Sequence, residues 1–146
     1  MNPVVHALMR MGTRVAIAVY RRSSGRIGGK ARGGVPVLLL TVPGRKTGIP
    51  RTTPVGYFEH DGGYVLTGTA GGAREDPQWF RNLRRSAEAE VEIGARRIRV
   101  RVRELRGPER DTVWRDVVLA KAPSFGAYQD KTPRTIPLAL LIPTGG

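Results

Sequence analysis

The chain has 146 residues, which is the length of one ordinary domain and is enough to bury a hydrophobic core without disulfides. It contains no cysteine and only two histidines, His6 and His60, so a disulfide framework, a catalytic thiol and a thiolate metal site are excluded, and a zinc or non-haem iron site is disfavoured. Its 25 Lys and Arg residues outnumber its 12 Asp and Glu residues. The formal charge of +13 predicts an anionic partner: nucleic acid, anionic lipid, or a phosphorylated or polycarboxylate ligand.

Residues 1–34 predict a basic amphipathic helix followed by a glycine-rich linker. Asn2 and Pro3 are typical of an N-cap and a first helical position. Helical spacing then places apolar residues on one stripe: Val4, Leu8, Met11, Val15 and Ala18. Basic residues lie mostly on the other side: Arg10, Arg14 and Arg21. The stripe fits packing across the rest of the domain, which is the commoner arrangement, and it also fits contact with an anionic membrane surface. Five glycines between Ser23 and Gly34 predict a mobile linker.

The location of the protein is expected to be cytoplasmic. The apolar run over residues 35–42 is far too short to span a bilayer, and the N-terminus lacks the pattern of a secretory signal. A helix bound to anionic lipid would place the protein at the inner face of the plasma membrane.

Residues 35–146 predict a mostly β domain. Strand patterns cover residues 35–42, 51–59, 64–69, 88–93, 97–105 and 135–142. Helical patterns cover residues 77–85 and 108–120, and residues 122–134 are predicted to form a loop. Several hairpins with few helices favour an α+β, mostly β barrel over a Rossmann fold.

One strand alternates between apolar and basic residues. Ile98, Val100 and Val102 share one face, and the opposite face carries arginines: Arg97, Arg99, Arg101 and Arg103. The arginine row fits polyanion binding, but a solvated face that protects an edge strand is the commoner arrangement.

Two glycine-containing turns carry the strongest signals of ligand binding. The turn over residues 43–48 combines glycines with Arg45 and Lys46, and Arg51 follows it. Exposed backbone amides beside two cations suit a phosphate or carboxylate, although an ordinary basic hairpin turn has the same composition. The second turn, over residues 69–73, allows a flat ligand to approach the backbone. In the helix that follows, Trp79 and Leu83 share a face typical of the core, whereas the position of Asn82, next to Leu83, also allows it to point toward a neighbouring cleft.

Taken in order along the chain, these segments resemble the deazaflavin-dependent nitroreductases, also called F420H2-dependent quinone reductases. The resemblance covers nearly the whole chain from about Tyr20 and depends on an ordered set of motifs: Leu38–Thr41, Gly44–Gly48 with Pro50-Arg51, Gly71–Ala73, Asp76-Pro77, Trp79–Leu83, Pro123-Ser124, Tyr128-Gln129 and Arg134–Pro137. It implies a split β-barrel related to flavin-mononucleotide-binding barrels, with an N-terminal helix and two further short helices.

The resemblance implies coenzyme F420, a deazaflavin with a phosphate and an oligoglutamate tail, as the cofactor. The phosphate would contact Arg45, Lys46 and Arg51, and the glutamates would contact further cations such as Arg26 and Lys30. The tricyclic ring would lie against a set of mostly small residues: Pro54, Thr69, Ala70, Gly71, Gly72 and Asn82.

The implied reaction is hydride transfer from the reduced coenzyme to a quinone or an activated nitro compound. The acceptor would lie beside Gly56, Phe125 and Tyr128, and Tyr128 is the candidate catalytic residue because its hydroxyl can donate to the acceptor oxygen. One nitroreductase of the family has tyrosines at the positions of Gly56 and Phe125 and a tryptophan at that of Lys131. This difference predicts a preference for simple quinones over bulky nitro compounds.

Three other functions stay open: a non-catalytic deazaflavin carrier, a flavin-mononucleotide enzyme on the same barrel, and a nucleic-acid-binding protein. The aromatic residues are few and do not alternate with basic residues as stacking platforms do, so we expect no nucleic-acid partner.

Overall fold

The computed structural model describes residues 3–144, without the side chains of residues 3, 5–10 and 32. Six antiparallel strands form a closed barrel in the order β1-β2-β3-β6-β5-β4. The strands are β1 (Val37–Pro43), β2 (Pro50–His60), β3 (Gly63–Thr67), β4 (Glu88–Ile93), β5 (Arg96–Leu105) and β6 (Leu138–Pro143). The predicted mostly β barrel is therefore confirmed, with strand ends within three residues of those expected.

Helices cover parts of the outer surface of the barrel. They are α1 (Pro3–Arg22), α2 (Gln78–Arg84), α3 (Gly107–Val113), α4 (Leu119–Lys121) and α5 (Gly126–Asp130), with a π-helical turn (Trp114–Val118) joining α3 to α4. The helix predicted over residues 108–120 is thus one helical run that a π-helical turn interrupts.

Alternation along each strand separates the barrel interior from its outer surface. Leu38, Leu66 and Val100 are fully buried in the interior cluster. The next residues along the same strands point outward, so Leu39 and Val65 belong to two separate outer clusters beneath helices. The larger outer cluster packs β2, β3 and β6 against the helical run 107–121, and the smaller packs β1 against the end of α1.

The arginine row of β5 lies on the outer surface, as predicted for a solvated face. Arg97, Arg99 and Arg103 each contact a glutamate, among them Glu88 on β4 at 2.9 Å from Arg99. Because β5 pairs with both β4 and β6, the expectation that it is an edge strand was wrong. Barrel closure removes the edge.

The segment predicted as a loop, residues 122–134, contains a 3-10 turn (Pro123–Phe125) and α5. The last strand begins at Leu138 and not at Thr135, because Pro137 has no N–H to donate and the Ile136 amide donates to the Gln129 side chain at 3.0 Å instead. Gln129 Nε2 also donates to the Arg134 carbonyl oxygen at 2.6 Å, which joins α5 to the residues just before β6.

The glycine-rich segment after α1 has regular hydrogen bonding, where we predicted a mobile linker. The Gly25 amide donates to Tyr20 at 2.8 Å, the Ala31 amide to Val35 at 2.8 Å, and the Val37 amide to Gly29 at 2.8 Å. These bonds hold residues 23–36 as a series of turns along β1.

The apolar stripe of α1 is exposed, so the expectation that it packs across the barrel was wrong. Val4, Met11 and Val15 are 63%, 62% and 58% exposed, and the helix instead contacts the barrel through Ile17 and Tyr20 near its end. Asn2 and the side chains of His6, Leu8 and Arg10 lie outside the described residues. No helix within residues 3–144 is long and apolar enough to cross a bilayer.

The end of α1 is fixed by a buried hydroxyl and an ion pair. Tyr20 is 2% exposed, and its hydroxyl donates to Val37 O at 2.9 Å while it accepts from the Gly94 amide at 3.0 Å. Arg21 forms a bidentate pair with Glu92 at 3.0 and 2.8 Å. These bonds set where α1 leaves the barrel.

Candidate functional site

A cavity of about 280 Å³ lies on the outer surface of β2 and β3; we call it the main cleft. Its lining includes seven of the predicted ring and acceptor residues: Pro54, Gly56, Thr69, Ala70, Gly71, Phe125 and Tyr128. Strand alternation explains part of this set, because Pro54, Gly56 and Thr67 all lie at outward positions of paired strands.

Sequence reasoning missed several residues of the main cleft: Ala31, Val35, Val55, Thr67 and Trp79. Trp79 has helical spacing with Leu83, which favoured a core position, but it is only partly buried and forms one wall of the cleft. Ala31 comes from the segment that we predicted to be a linker, and Val35 from the predicted start of the first strand. Helical periodicity indicates that a side chain faces the barrel, but it does not show whether a cavity lies there.

The turn over residues 68–73 has a strained backbone conformation, which other contacts must stabilise. Ala70 has φ 46°, in the left-handed region that costs a residue with a Cβ about 1–2 kcal/mol, and Gly71 and Gly72 follow at 64° and 82°. Within the described residues, the amides of Ala70 and Gly71 have no hydrogen-bond acceptor. Both residues line the main cleft, so the turn offers two backbone donors to a ligand there.

Gly72, also predicted to hold the ring, does not line the main cleft. A Cβ at this position would lie 2.8 Å from Lys131 Cβ and 3.0 Å from Tyr128 O. Gly72 therefore serves to bring the turn against α5, the helix that carries Tyr128.

Aromatic side chains close one side of the main cleft. The ring of Phe125 lies edge-on to Phe58 at 5.6 Å and to Tyr128 at 5.3 Å. Gly56 lies on the same side, and a Cβ there would lie 3.1 Å from Val35 Cγ1. A side chain at position 56 would therefore have to displace Val35, which explains how glycine keeps this part of the cleft open.

The second site surrounds the turn over residues 43–48, which we call the basic turn. Two adjoining cavities of about 500 and 310 Å³ share Gly44, Arg45, Lys46 and Asn82. Arg51 lines the smaller cavity, and Arg85 lines the larger together with Ser86. The structure therefore brings together the three cations predicted to bind phosphate and adds Arg85, which sequence reasoning missed.

Asn82 fixes the basic turn and lies outside the main cleft. Its side-chain oxygen accepts from the Arg45 amide at 3.1 Å and from Arg45 Nη1 at 2.7 Å. Gln78 accepts from Nη2 of the same guanidinium at 2.7 Å. Asn82 is 6% exposed, so the two bonds that it accepts are partly shielded from water, whereas the bond to Gln78 is exposed. The structure thus places Asn82 beside Arg45, whereas the resemblance implied a contact with the ring.

The two cations expected to contact an oligoglutamate tail, Arg26 and Lys30, are exposed on the segment after α1. Neither lines the cavities at the basic turn.

The comparisons with known proteins point to one family. The family model of the F420H(2)-dependent quinone reductases matches residues 12–143. The chain is 33% identical to F420H(2)-dependent quinone reductase Rv1261c of Mycobacterium tuberculosis, over 88% of this chain and 87% of that one. It is 35% identical to the putative F420H(2)-dependent quinone reductase Rv3178 of the same species, over 81% and 98%. A solved F420-H2 dependent reductase, FDR-A, superposes with a TM-score of 0.65 at 31% identity and covers 73% of this chain and 93% of its own.

The role of Asn82 in fixing the basic turn is testable without a ligand. Asn82→Ala should lower the free energy of unfolding by about 1–3 kcal/mol in urea titrations, because it leaves the Arg45 amide and guanidinium without their buried acceptor. Gln78→Ala is the matched control, since it removes an exposed bond to the same guanidinium and should cost less than about 0.5 kcal/mol. Equal losses in the two variants would show that Asn82 does not organise the turn.

Proposed function

Because the chain belongs to the F420H(2)-dependent quinone reductase family, we propose that it reduces a quinone or an activated nitro compound with a hydride from reduced coenzyme F420. It is accordingly an oxidoreductase that uses reduced F420. The observation that carries the proposal is that α2 contributes to both sites: Trp79 lines the main cleft, and Asn82 lines the basic turn. A cleft for a flat ring and a site for anions thus lie on one element.

The main cleft fits the deazaflavin ring. Its floor is made of Pro54 and the turn at Thr69–Gly71, where small residues let a planar molecule approach the backbone. The amides of Ala70 and Gly71 are suited to donate to ring carbonyl oxygens and thereby to favour negative charge that develops on them.

The basic turn fits the phosphate and the acidic tail. Among the described carboxylates, none forms an ion pair with Lys46, Arg51 or Arg85, so these cations are available to an anionic ligand. Arg45 is held by two neutral amide oxygens, which orient its guanidinium and leave its charge uncompensated. We assign the phosphate to Arg45, Lys46 and Arg51, and the glutamates to Arg85.

The acceptor is assigned to the aromatic side of the main cleft. When bound, the reduced coenzyme supplies the hydride, and the protein supplies position and electrostatics. Phe125 and Tyr128 would stack against a planar quinone and exclude water from it. The Tyr128 hydroxyl has no hydrogen-bond partner among the described residues, so it remains able to donate to the acceptor oxygen.

Two alternatives predict different outcomes. A non-catalytic carrier would bind F420 and reduce no acceptor. A nucleic-acid-binding protein would need a continuous cationic face, but glutamates of β4 interrupt the arginine row of β5.

The first test of the proposal addresses the basic turn. Lys46→Ala and Arg45→Ala should each weaken F420 binding by at least about tenfold in fluorescence titrations at moderate salt, since each removes a charged hydrogen bond. Arg101→Ala removes an equal charge from the outer face of β5 and should leave the dissociation constant within about twofold. Unchanged affinity in both variants would show that the phosphate does not bind at this turn.

The second test separates the acceptor from the coenzyme. Tyr128→Phe should lower kcat/KM for menadione by about tenfold and leave F420 affinity unchanged, because it removes a group that contacts only the acceptor. Tyr64→Phe, on the opposite face of the sheet, is the matched control. If Tyr128→Phe weakens F420 binding as much as it slows turnover, Tyr128 belongs to the coenzyme site.

A second proposal concerns α1, which we propose contacts an anionic membrane surface and so holds the protein at the inner face of the membrane. Val4, Met11, Val15 and Val19 share one face of the helix and are 36–63% exposed, while Ile17 and Tyr20 face the barrel. Arg14 and Arg22 are exposed near this stripe. An exposed apolar stripe with flanking arginines is the pattern of an interfacial helix.

The structure allows this contact to be tested without deleting the anchored end of α1. Substitution of Met11 and Val15 together by Gln should reduce sedimentation with vesicles containing phosphatidylglycerol, since it removes exposed apolar surface. The melting temperature and F420 affinity should not change. Binding should also weaken with added salt because exposed charges are screened. Equal sedimentation of the variant and the unaltered protein would contradict the proposal.

A further inference from the structure

The turn that forms the floor of the main cleft is held by a single guanidinium group. Arg134 Nε donates to the Ala73 carbonyl oxygen at 2.8 Å. Its Nη1 donates to Gly68 O at 3.1 Å, and its Nη2 donates to Thr69 O at 2.9 Å. The side chain is 14% exposed. Arg134 thus binds carbonyls at both ends of the turn and so fixes its curvature.

A carboxylate fixes the guanidinium in turn. Arg134 Nη1 lies 2.8 Å from Asp76 Oδ1, and Asp76 Oδ2 accepts from Arg84 at 3.0 Å. Arg84 is paired with Glu104 of β5, and the hydrogen bond to Glu104 raises the pKa of Arg84 above its ordinary value, with burial opposing the change. The planar fork of arginine is what allows one side chain to reach acceptors in four directions, which lysine cannot do.

The carbonyls that Arg134 binds determine where the amides of the turn point. In a trans peptide unit the C=O and N–H bonds point in opposite directions. Since the carbonyls of Gly68 and Thr69 face Arg134, the amides of Thr69 and Ala70 face away from it. Both residues line the main cleft, and both amides lack an acceptor within residues 3–144. Arg134 therefore orients the amide donors of Thr69 and Ala70 from the side of the turn that faces away from the cleft.

Arg134 also connects this turn to the aromatic side of the cleft. Its own carbonyl oxygen accepts from Gln129 Nε2 at 2.6 Å. Gln129 follows Tyr128 in α5, and Gly72 packs directly against Tyr128 O. The turn, Arg134 and α5 are thus linked by consecutive short contacts.

From these contacts we propose that Arg134 is a positioning residue, which holds the amide donors of Thr69 and Ala70 in place and fixes their distance from Tyr128. The part of this inference that concerns coenzyme binding depends on the proposed function. The part that concerns the conformation of the turn does not.

The test compares two buried arginines. Arg134→Lys keeps the charge but cannot satisfy all four acceptors. It should speed hydrogen exchange of the Gly72 and Ala73 amides, which close the turn by bonding to Thr69 O and Ala70 O, by about tenfold, and should weaken F420 binding to a similar extent. Arg110→Lys is the control, because Arg110 is 8% exposed and donates to Ile136 O at 2.7 Å and to Gln129 Oε1 at 3.4 Å, but to none of the carbonyl oxygens of the turn. It should lower the melting temperature and leave exchange at Gly72 and Ala73, and F420 affinity, within about twofold.

Equal acceleration of exchange in both variants, or none in Arg134→Lys, would overturn the inference, since Arg134 would then contribute only general stability or nothing. If the unaltered protein fails to bind F420, the proposed function is wrong. The difference in exchange between the two variants would still decide whether Arg134 holds the turn.

Discussion

Closure of the barrel is the constraint on which the rest of the molecule depends. Side chains alternate between the two faces of a strand, so closure sends one half of them into a core that small barrels fill completely. Leu38, Leu66 and Val100 occupy that core and leave no room for a ligand. Every binding feature must therefore lie on the outer surface or at a strand end. The main cleft is on the outside of β2 and β3, and the basic turn joins β1 to β2.

The positions of the charged residues say more about the kind of ligand than the net charge does. Glutamates of β4 pair with the arginines of β5, and Asp76 holds Arg84 and Arg134 in the interior of a network. Within the described residues, these pairs compensate Arg97, Arg99 and Arg103 of β5 but leave Arg96 and Arg101 without a carboxylate partner. The excess positive charge is therefore only partly on the strands. It includes the basic turn, where Lys46 and Arg51 lack a carboxylate partner among the described residues. Part of the net charge is thus concentrated at a local site that suits a small polyanion.

Strand periodicity and turn composition were sufficient to predict the barrel, its outward arginine row and the approximate bounds of all six strands. Two predictions failed because sequence periodicity shows neither contacts between distant residues nor the presence of a cavity. The stripe of α1 has the spacing of a packed face, but the helix is anchored through Tyr20 and Glu92, and that anchor depends on contacts across more than 70 residues of sequence. Trp79 has the spacing of a core residue yet lines the cleft, because residues 31–35 and the segment that carries Phe125 and Tyr128 enclose a cavity beside it. Arg134 was part of the resemblance, but its four acceptors come from another part of the chain.

The position of α2 bears on which ligand the two sites can select. Trp79 and Asn82 are three residues apart, so less than one helical turn, a rise of about 4.5 Å along the helix axis, separates the residue that lines the main cleft from the one that fixes the basic turn. A ligand that fills both must carry a flat ring and an anion on one molecule. Flavin mononucleotide and coenzyme F420 both meet that requirement, so α2 alone does not distinguish them. Arg85 lines the larger cavity beyond the cations assigned to a single phosphate, so it adds a positive charge that suits a ligand with further negative charges. The extent of uncompensated positive charge around the basic turn is thus the feature of this fold that favours a deazaflavin with an acidic tail over an ordinary flavin.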